Sequence, residues 1–379
     1  ADCFGVIVTK LRPACVPILW PVPSPRVLSR EWARCRTGIV RAIAWLSWIN
    51  LAAVVVIASW LTCVGERSWI GTVITYLPRS PYLLPSLVLL PAALCWRRSA
   101  IAPNLLAAAV VLGPLMTLRG YERVMSPLPA EQAGDLRIIT CNVQDFEPDF
   151  AQVLREIEEL QPDIVAFQEA FDRPPLRARF FADWHVHRVD EHLVASRYPL
   201  RFVDALYLAP TDRMTVARFE IDTPQGKVLF CSVHQTTPRY GLVELRPWSV
   251  LGGEAVRQVE AETRQRDEEA ELTRARVDEG YPELPRIIVG DFNMPADSTL
   301  FRRHWGDLRD AFVRAGLGYG YTSPCHTRRI WPRGFPWLQV DHVLVSPQWE
   351  VVRCAIGRND GSDHRLMTAR LRLRGNTNP

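Results

Sequence analysis

Asp291 and Asn293 close a short apolar run, Ile287-Ile288-Val289-Gly290-Asp291-Phe292-Asn293. At a strand end, positions i and i+2 point to the same side. A carboxylate and a neutral amide therefore enter one space at the lip of a sheet. The carboxylate can orient or deprotonate water, and the amide can hold a phosphate oxygen. The plainer reading of this fragment alone is a strand ending in an Asx-type turn.

Four other stretches repeat the pattern. Ile138-Ile139-Thr140-Cys141-Asn142-Val143 is an apolar strand with an amide at its end. Asp163 to Glu169 is a second, ending in a carboxylate. Val228 to His234 ends in imidazole. Gln339 to Val345 carries Asp341, and Gly361-Ser362-Asp363-His364 follows. One strand ending in a polar group means little. Five in one chain fit the rule that sites form where strand ends and loops converge.

These stretches, read as TCNV, DIVAFQE, SVH, GDFN, VDHVLVS and SDH, resemble the endonuclease/exonuclease/phosphatase superfamily, in its order. That group contains deoxyribonuclease I, abasic-site endonucleases, neutral sphingomyelinases and inositol-phosphate phosphatases. The resemblance runs from about Asp135 to Arg374. It implies an α/β fold, a four-layer α/β/β/α sandwich, and phosphoester hydrolysis dependent on Mg²⁺ or Mn²⁺. It gives the metal to Glu169, with Asn142 as neighbour and Asp363 as a second acidic position. Asp291 matches the residue that orients or deprotonates water, and Asn293 the amide that stabilises phosphate. His364 matches the imidazole on the scissile phosphate, Asp341 the carboxylate paired with it, and His234 a second phosphate-side imidazole. Gln144 departs from relatives with an acid just after the Asn, and His342 stands where an aromatic is common.

The elements that must carry these groups can be read independently. Val216–Ile221 and Val228–Val233, joined by Asp222-Thr223-Pro224-Gln225-Gly226, form a hairpin signal. Phe150, Val153, Leu154 and Ile157 are spaced as a helix face. Ala255 to Arg276 is a charge-laced helix candidate, read as a solvated face with i,i+4 pairs. Arg213 opens the strand before the hairpin and is a candidate phosphate contact. The loop Tyr319 to Leu338 mixes Arg328, Arg329 and Arg333 with Trp331, Phe335 and Trp337. Arg328 and Trp331 suit an anionic headgroup at a membrane interface. A long loop packed on its own side chains is the alternative.

The front of the chain has a different character. No charged residue lies between Arg41 and Glu66, between Arg79 and Arg97, or between Arg98 and Arg119. Three apolar runs flanked by Arg predict membrane spans. The division is a cytoplasmic segment over 1–41, a transmembrane region of about three helices over 42–118, a linker over 119–134 and the catalytic domain over 135–379. The second run contains Pro81, Pro85 and Pro91 and could instead be re-entrant. The Arg-rich N-terminus and the Arg97-Arg98 loop belong on the cytoplasmic side. With three spans the domain lies outside; with two it lies inside. Three accommodates both Arg clusters.

Residues 1–134 hold 13 of the 45 Lys and Arg and 5 of the 41 Asp and Glu. The remainder is therefore mildly acidic, and Lys227 is its one lysine. Holding duplex DNA needs cations along the phosphates, so nucleic acid is disfavoured. The nine Cys show no zinc spacing. No Walker loop, G-x-S-x-G or dinucleotide fingerprint is present. The arrangement of spans before this domain looks like a bacterial group linked to glycopeptide-antibiotic resistance. That resemblance implies a lipid-linked phosphate or pyrophosphate substrate, such as a polyprenyl carrier; the charge pattern of the spans puts the enzyme on the extracytoplasmic side of the cytoplasmic membrane. An exported nuclease and a catalytically silent membrane module are the alternatives.

Overall fold

A computed structural model describes residues 25–120, 127–146, 149–171, 181–209, 212–326, 332, 334–358 and 361–374. Helices α1 (Pro25–Cys63), α2 (Trp69–Tyr76), α3 (Leu84–Trp96) and α4 (Ile101–Val110) come first. A π turn, Val111–Leu115, continues α4. The strands are β1 (Leu136–Asn142), β2 (Ile164–Gln168), β3 (His185–Val189), β4 (His192–Ser196), β5 (Leu200–Leu208) and β6 (Arg213–Thr223). They continue with β7 (Gly226–His234), β8 (Arg286–Asp291), β9 (Arg309–Asp310), β10 (Asp341–Val345), β11 (Trp349–Ile356) and β12 (Met367–Leu373). The longer helices among them are α5 (Phe150–Leu160), α6 (Glu254–Asp278) and α7 (Thr299–Trp305).

Two six-stranded sheets stack face to face, ordered β11-β12-β1-β2-β4-β3 and β5-β6-β7-β8-β10-β9. Strand alternation divides their residues between layers. Ile138, Ile164 and Ala166 meet Phe219, Phe230, Ile287, Val289 and Val343 between the sheets. Their neighbours Ile139, Cys141, Val165 and Phe167 turn outward onto Phe150, Val153, Leu154 and Ile157 of α5. On the opposite side Leu229, Ile288 and Leu344 turn outward onto Ala270 and Val277 of α6 and Phe301 and Trp305 of α7. The result is the four-layer α/β/β/α sandwich expected from the motifs. The hairpin is also present: β6 and β7 pair antiparallel, with Thr223 opposite Gly226.

The charged run before the GDFN strand is a helix but not simply a solvated face. Arg266 and Glu269 of α6 are buried, Arg266 at 1% exposure. Arg266 falls on the same stripe as Ala255, Val259, Ala270, Thr273 and Val277, and that stripe faces the second sheet and α2.

Two N-terminal helical segments are long and apolar enough to cross a bilayer, Arg34–Cys63 and Arg98–Leu115; a shorter apolar one, Ser80–Trp96, lies between them. The three pack together with polar groups inside. Asn50 donates to Ser86 Oγ at 2.9 Å, and Asn104 donates to Ser47 Oγ at 2.8 Å, all four side chains being buried. Trp45, Trp48, Val56, Leu87, Val88 and Leu94 face outward. Ile43, Ala93 and Ala100 pack at one end of this bundle. Val54, Leu61, Val111, Leu115 and Met116 pack at the other, against Tyr319 and Tyr321 of the sandwich.

The stretch after the bundle is not a free tether where it is described. Arg119 exchanges backbone hydrogen bonds with Gly318 at 2.8 and 3.0 Å. Leu128 packs on the inter-sheet core, Glu131 pairs with Arg353 and Arg370, and Asp135 pairs with Arg372. The reason is local: Glu131 and Asp135 offer carboxylates to arginines of β11 and β12.

Candidate active site

Register brings the polar strand ends into one row. β7 runs parallel to β8 with His234 beside Asp291, and β10 runs antiparallel to β8 with Asp341 opposite Asp291. This needs Gly290, whose φ is +136°; a Cβ there would lie 1.9 Å from the Val233 carbonyl oxygen. Any side chain would push β8 from β7 and separate His234 from Asp291. In the facing sheet, β1 and β2 are parallel with Asn142 beside Gln168, so Glu169 emerges one residue beyond.

Asn142 joins the two sheets. Its amide nitrogen donates to Glu169 Oε1 at 2.8 Å and to Asp291 Oδ2 at 3.1 Å. The Asn293 backbone N–H donates to Asp291 Oδ1 at 2.8 Å, and its side-chain amide donates to the Gln235 carbonyl at 2.8 Å. Glu169 and Asn293 both have left-handed backbones, with φ of 52° and 51°. Non-glycine residues rarely hold that conformation, and it concentrates at sites whose surroundings enforce it.

The imidazoles are fixed by carboxylates. His364 Nδ1 and Asp341 Oδ2 are 2.8 Å apart, and His364 Nε2 lies 3.7 Å from Asp291 Oδ2. Burial alone would lower the His364 pKa, but Asp341, then Asp291 and Asp363, outweigh it and hold it well above its ordinary value. The surrounding carboxylates favour the protonated ring, whose Nε2 faces Asp291. His234 Nδ1 lies 2.7 Å from Glu191 Oε1, and its Nε2 lies 3.5 Å from Glu169 Oε1 and 3.8 Å from Asp291 Oδ2. Burial would raise the Glu191 carboxyl, but its hydrogen bond with His234 and the charges of His234 and Arg213 bring it down to about 2. His192, fully buried behind it, is pushed down to about 3, first by burial and then by His234.

Of the candidate residues, Asn142, Glu169, His234, Asp291, Asn293, Asp341 and His364 form one connected cluster. Asp363 is buried beside it and 3.9 Å from the exposed Arg239. Arg213 sits behind His234, its Nε 3.5 Å from Glu191 and its Nη1 donating to Thr236 Oγ1 at 3.1 Å. It reaches the cluster through Glu191. Arg328 and Trp331 lie outside the described residues. His342 does not join the site: on the next strand position it points away, against Asp310 at 2.9 Å and the Met294 carbonyl. Glu191 and Ser323, whose Oγ is 3.1 Å from His364 Nε2, escaped sequence reading. Both come from connections that carry no strand-end signal.

A hard divalent cation fits the oxygen donors here. Glu169 is about one-third exposed, so its carboxylate can share a cation with water ligands. Buried Asp341 Oδ1 has no hydrogen-bond partner. Asp291, Asp341 and His364 bring ligand atoms within 4.8 Å of one another. His364 is nonetheless a poor ligand, because its Nδ1 is engaged by Asp341 Oδ2 and its Nε2 by Ser323 Oγ. Glu169 is the better candidate to hold the cation.

The endonuclease/exonuclease/phosphatase family pattern matches residues 139–364. That is more than half of the chain, and the chain belongs to this family of metal-dependent phosphoric ester hydrolases. An endonuclease/exonuclease/phosphatase from Beutenbergia cavernae is 20% identical over 64% of this chain and 72% of its own, with a TM-score of 0.45. A mannosyl-6-phosphatase from Bacteroides thetaiotaomicron is 15% identical over 63% and 100%, with a TM-score of 0.48. D. rerio TDP2 complexed with single strand DNA product is 13% identical over 63% and 100%, with a TM-score of 0.46. Comparison with curated proteins gives no match.

Proposed function

We propose that this is a membrane-anchored phosphoesterase that cleaves a phosphate ester or pyrophosphate bond of a lipid-linked substrate. One observation carries the reading: the loops of the active site are the loops that meet the helix ends. The Tyr76 hydroxyl lies 3.2 Å from the Asn293 carbonyl oxygen, Trp337 Nε1 donates to the Tyr76 carbonyl at 2.9 Å, and Tyr321 OH donates to the Met116 carbonyl at 2.9 Å. Arg302 donates to the Thr62 carbonyl, and Arg79 pairs with Asp297. A site held at the end of the bundle meets a phosphate at the bilayer surface before any long polymer in solution.

The bundle suits a membrane because large apolar side chains such as Trp45, Val56, Leu87 and Val88 face outward, while the Asn50–Ser86 and Asn104–Ser47 hydrogen bonds tie its helices together inside. The C-terminal ends of α1 and of the α4 segment both abut the sandwich, so the intervening segment runs back. Ser80–Trp96 covers about 25 Å at 1.5 Å per residue, near the lower limit for a span. Arg41, Arg97 and Arg98 then share the far end, which the positive-inside rule assigns to the cytoplasm. The sandwich lies outside.

In the reaction, Asp291 orients water and accepts its proton. Asn293 donates to phosphate oxygen. His364, charged and aimed through Nε2, stabilises the negative charge that grows on phosphate. Asp341 holds His364 Nδ1, and Glu191 holds His234 so that Nε2 faces the cluster. Glu169, bonded to Asn142, would hold Mg²⁺ or Mn²⁺, with Asp363 as a second acidic candidate; the cation would neutralise phosphate charge. Arg239, exposed and 3.9 Å from Asp363, is a candidate for phosphate contact.

Rates on a polyprenyl phosphate or pyrophosphate in mixed micelles and on plasmid DNA, at matched phosphate concentration, test the substrate class. Faster lipid turnover is expected. Efficient plasmid nicking with every lipid phosphate ignored would transfer the assignment to a nuclease.

A further inference from the structure

We infer that the connection between the first two apolar helical segments is part of the catalytic unit, with Glu66, Tyr76 and Arg266 as positioning residues for the Asp291–Asn293 loop. Arg266 of α6 is buried and bridges the two connections that leave the site. Its Nε donates to the Thr236 carbonyl at 3.0 Å, just after His234, and its Nη2 donates to the Asn293 carbonyl at 2.8 Å. The charge is balanced from the N-terminal region. Glu66 Oε1 lies 3.6 Å from Arg266 Nη1, with both side chains at or below 1% exposure.

Tyr76 completes the set. Its hydroxyl lies 2.9 Å from Glu66 Oε1, 2.7 Å from Arg266 Nη2 and 3.2 Å from the Asn293 carbonyl oxygen. Glu66 also accepts from the Leu300 N–H at 3.2 Å, while its own N–H donates to Thr299 Oγ1 at 3.0 Å. These last contacts fix the residues that follow the Asn293 loop. Trp337 adds a tie from the loop preceding Asp341.

The physical consequence follows from burial. A guanidinium without solvent needs a counter-charge, and removing one partner of such a pair leaves an uncompensated charge. Arg266 relieved of Glu66 would seek water and draw the Asn293 and Thr236 carbonyls with it. The Asn293 N–H holds Asp291 Oδ1, so the water-orienting carboxylate would shift too. Misplacement of a catalytic group by about 1 Å can cost about a hundredfold in rate. The helix connection thus acts on turnover without touching substrate.

This rests on the reading of Asp291 and Asn293 as catalytic, so both are measured together. The full chain is assayed in detergent on a soluble aryl phosphoester, which removes any effect of lipid presentation. Glu66→Gln keeps the shape and removes the charge; Tyr76→Phe removes the hydroxyl. Each is expected to lower kcat about ten- to a hundredfold with KM within about twofold. In an Asp291→Ala background, where no water-orienting carboxylate is left to be displaced, Glu66→Gln is expected to lower the residual rate much less than it lowers the wild-type rate, since coupled residues are non-additive. Multiplicative losses in the double variant would assign Glu66 a general structural role and overturn the inference. So would wild-type kcat in both single variants while Asp291→Asn is inactive. If Asp291→Asn keeps its rate, the site assignment itself fails. Should Glu66→Gln fail to accumulate, Tyr76→Phe decides alone by the same kcat criterion.

Discussion

Glu191→Gln separates the two tasks of a residue that no motif marks. The carboxylate lies 2.7 Å from His234 Nδ1 and 3.5 Å from Arg213 Nε. In the folded chain its pKa falls from 4.5 to about 2, because His234 and Arg213 outweigh the effect of burial. At about 1.4 kcal/mol per tenfold change in proton affinity, this corresponds to about 3 kcal/mol of stability at neutral pH. The sign is that of a depressed carboxylate. The contribution is complete above pH 4.5, where the unfolded chain is also ionised, and is lost as pH falls through about 2. At pH 3.5 roughly 2 kcal/mol should remain.

The assay is reversible urea unfolding of the detergent-solubilised chain and of Glu191→Gln, in chelator, at pH 7 and pH 3.5. Other carboxylates titrate equally in both proteins, so the difference isolates Glu191. The variant should be less stable by about 3 kcal/mol at pH 7, and the gap should narrow by about a third at pH 3.5. With metal restored, kcat should fall about ten- to a hundredfold, as is usual for loss of the partner that orients a site imidazole. Equal stability at pH 7, or a gap unchanged between the two pH values, would refute the electrostatic reasoning. Unchanged kcat would remove His234 from the reaction.

Three further outcomes are expected. Excess chelator should abolish hydrolysis of an aryl phosphoester, with Mg²⁺ or Mn²⁺ restoring it, and Glu169→Gln should raise the metal concentration needed; full activity in chelator would exclude the mechanism. Asp291→Asn and His364→Ala should each lower kcat about a hundredfold or more, with Asp341→Asn milder because it acts through His364; stopped-flow or steady-state rates decide this, and a near-normal Asp291→Asn rejects its role. A reporter fused after the last residue should register the extracytoplasmic side, while a cytoplasmic signal would mean that Ser80–Trp96 does not cross.

The row of candidate residues was legible because strand ends are marked locally in the sequence. The strand ends at Asp291, and an Asx-type turn, with the Asn293 N–H on Asp291 Oδ1 at 2.8 Å, sets Asn293 beside it, in keeping with the plainer reading of the fragment; the apolar runs ending at Asn142, Glu169 and His234 announce their own termini. Pairing of β8 with β10 then sets Asp341 opposite Asp291. The layers were legible from strand alternation, since Ile138 and Ile139 face different cores. Groups delivered by connections were not. Glu191 lies between β3 and β4, and Ser323 in the irregular chain before β10, where no periodicity aims a side chain.

Arg266 failed for another reason. Counting charge in α6 suggests a solvated helix, yet Ala255, Val259, Ala270, Thr273 and Val277 mark a helical stripe that passes through position 266. An arginine on a buried stripe requires a distant counter-charge. Its partner, Glu66, sits alone at the end of an uncharged run, where span prediction treats it only as a boundary. Each residue reads as ordinary in its own segment. Only the fold shows that the anion closing the first apolar run and the cation interrupting the α6 stripe belong to one buried pair. That pair links the connection after the first apolar helix to the Asn293 carbonyl.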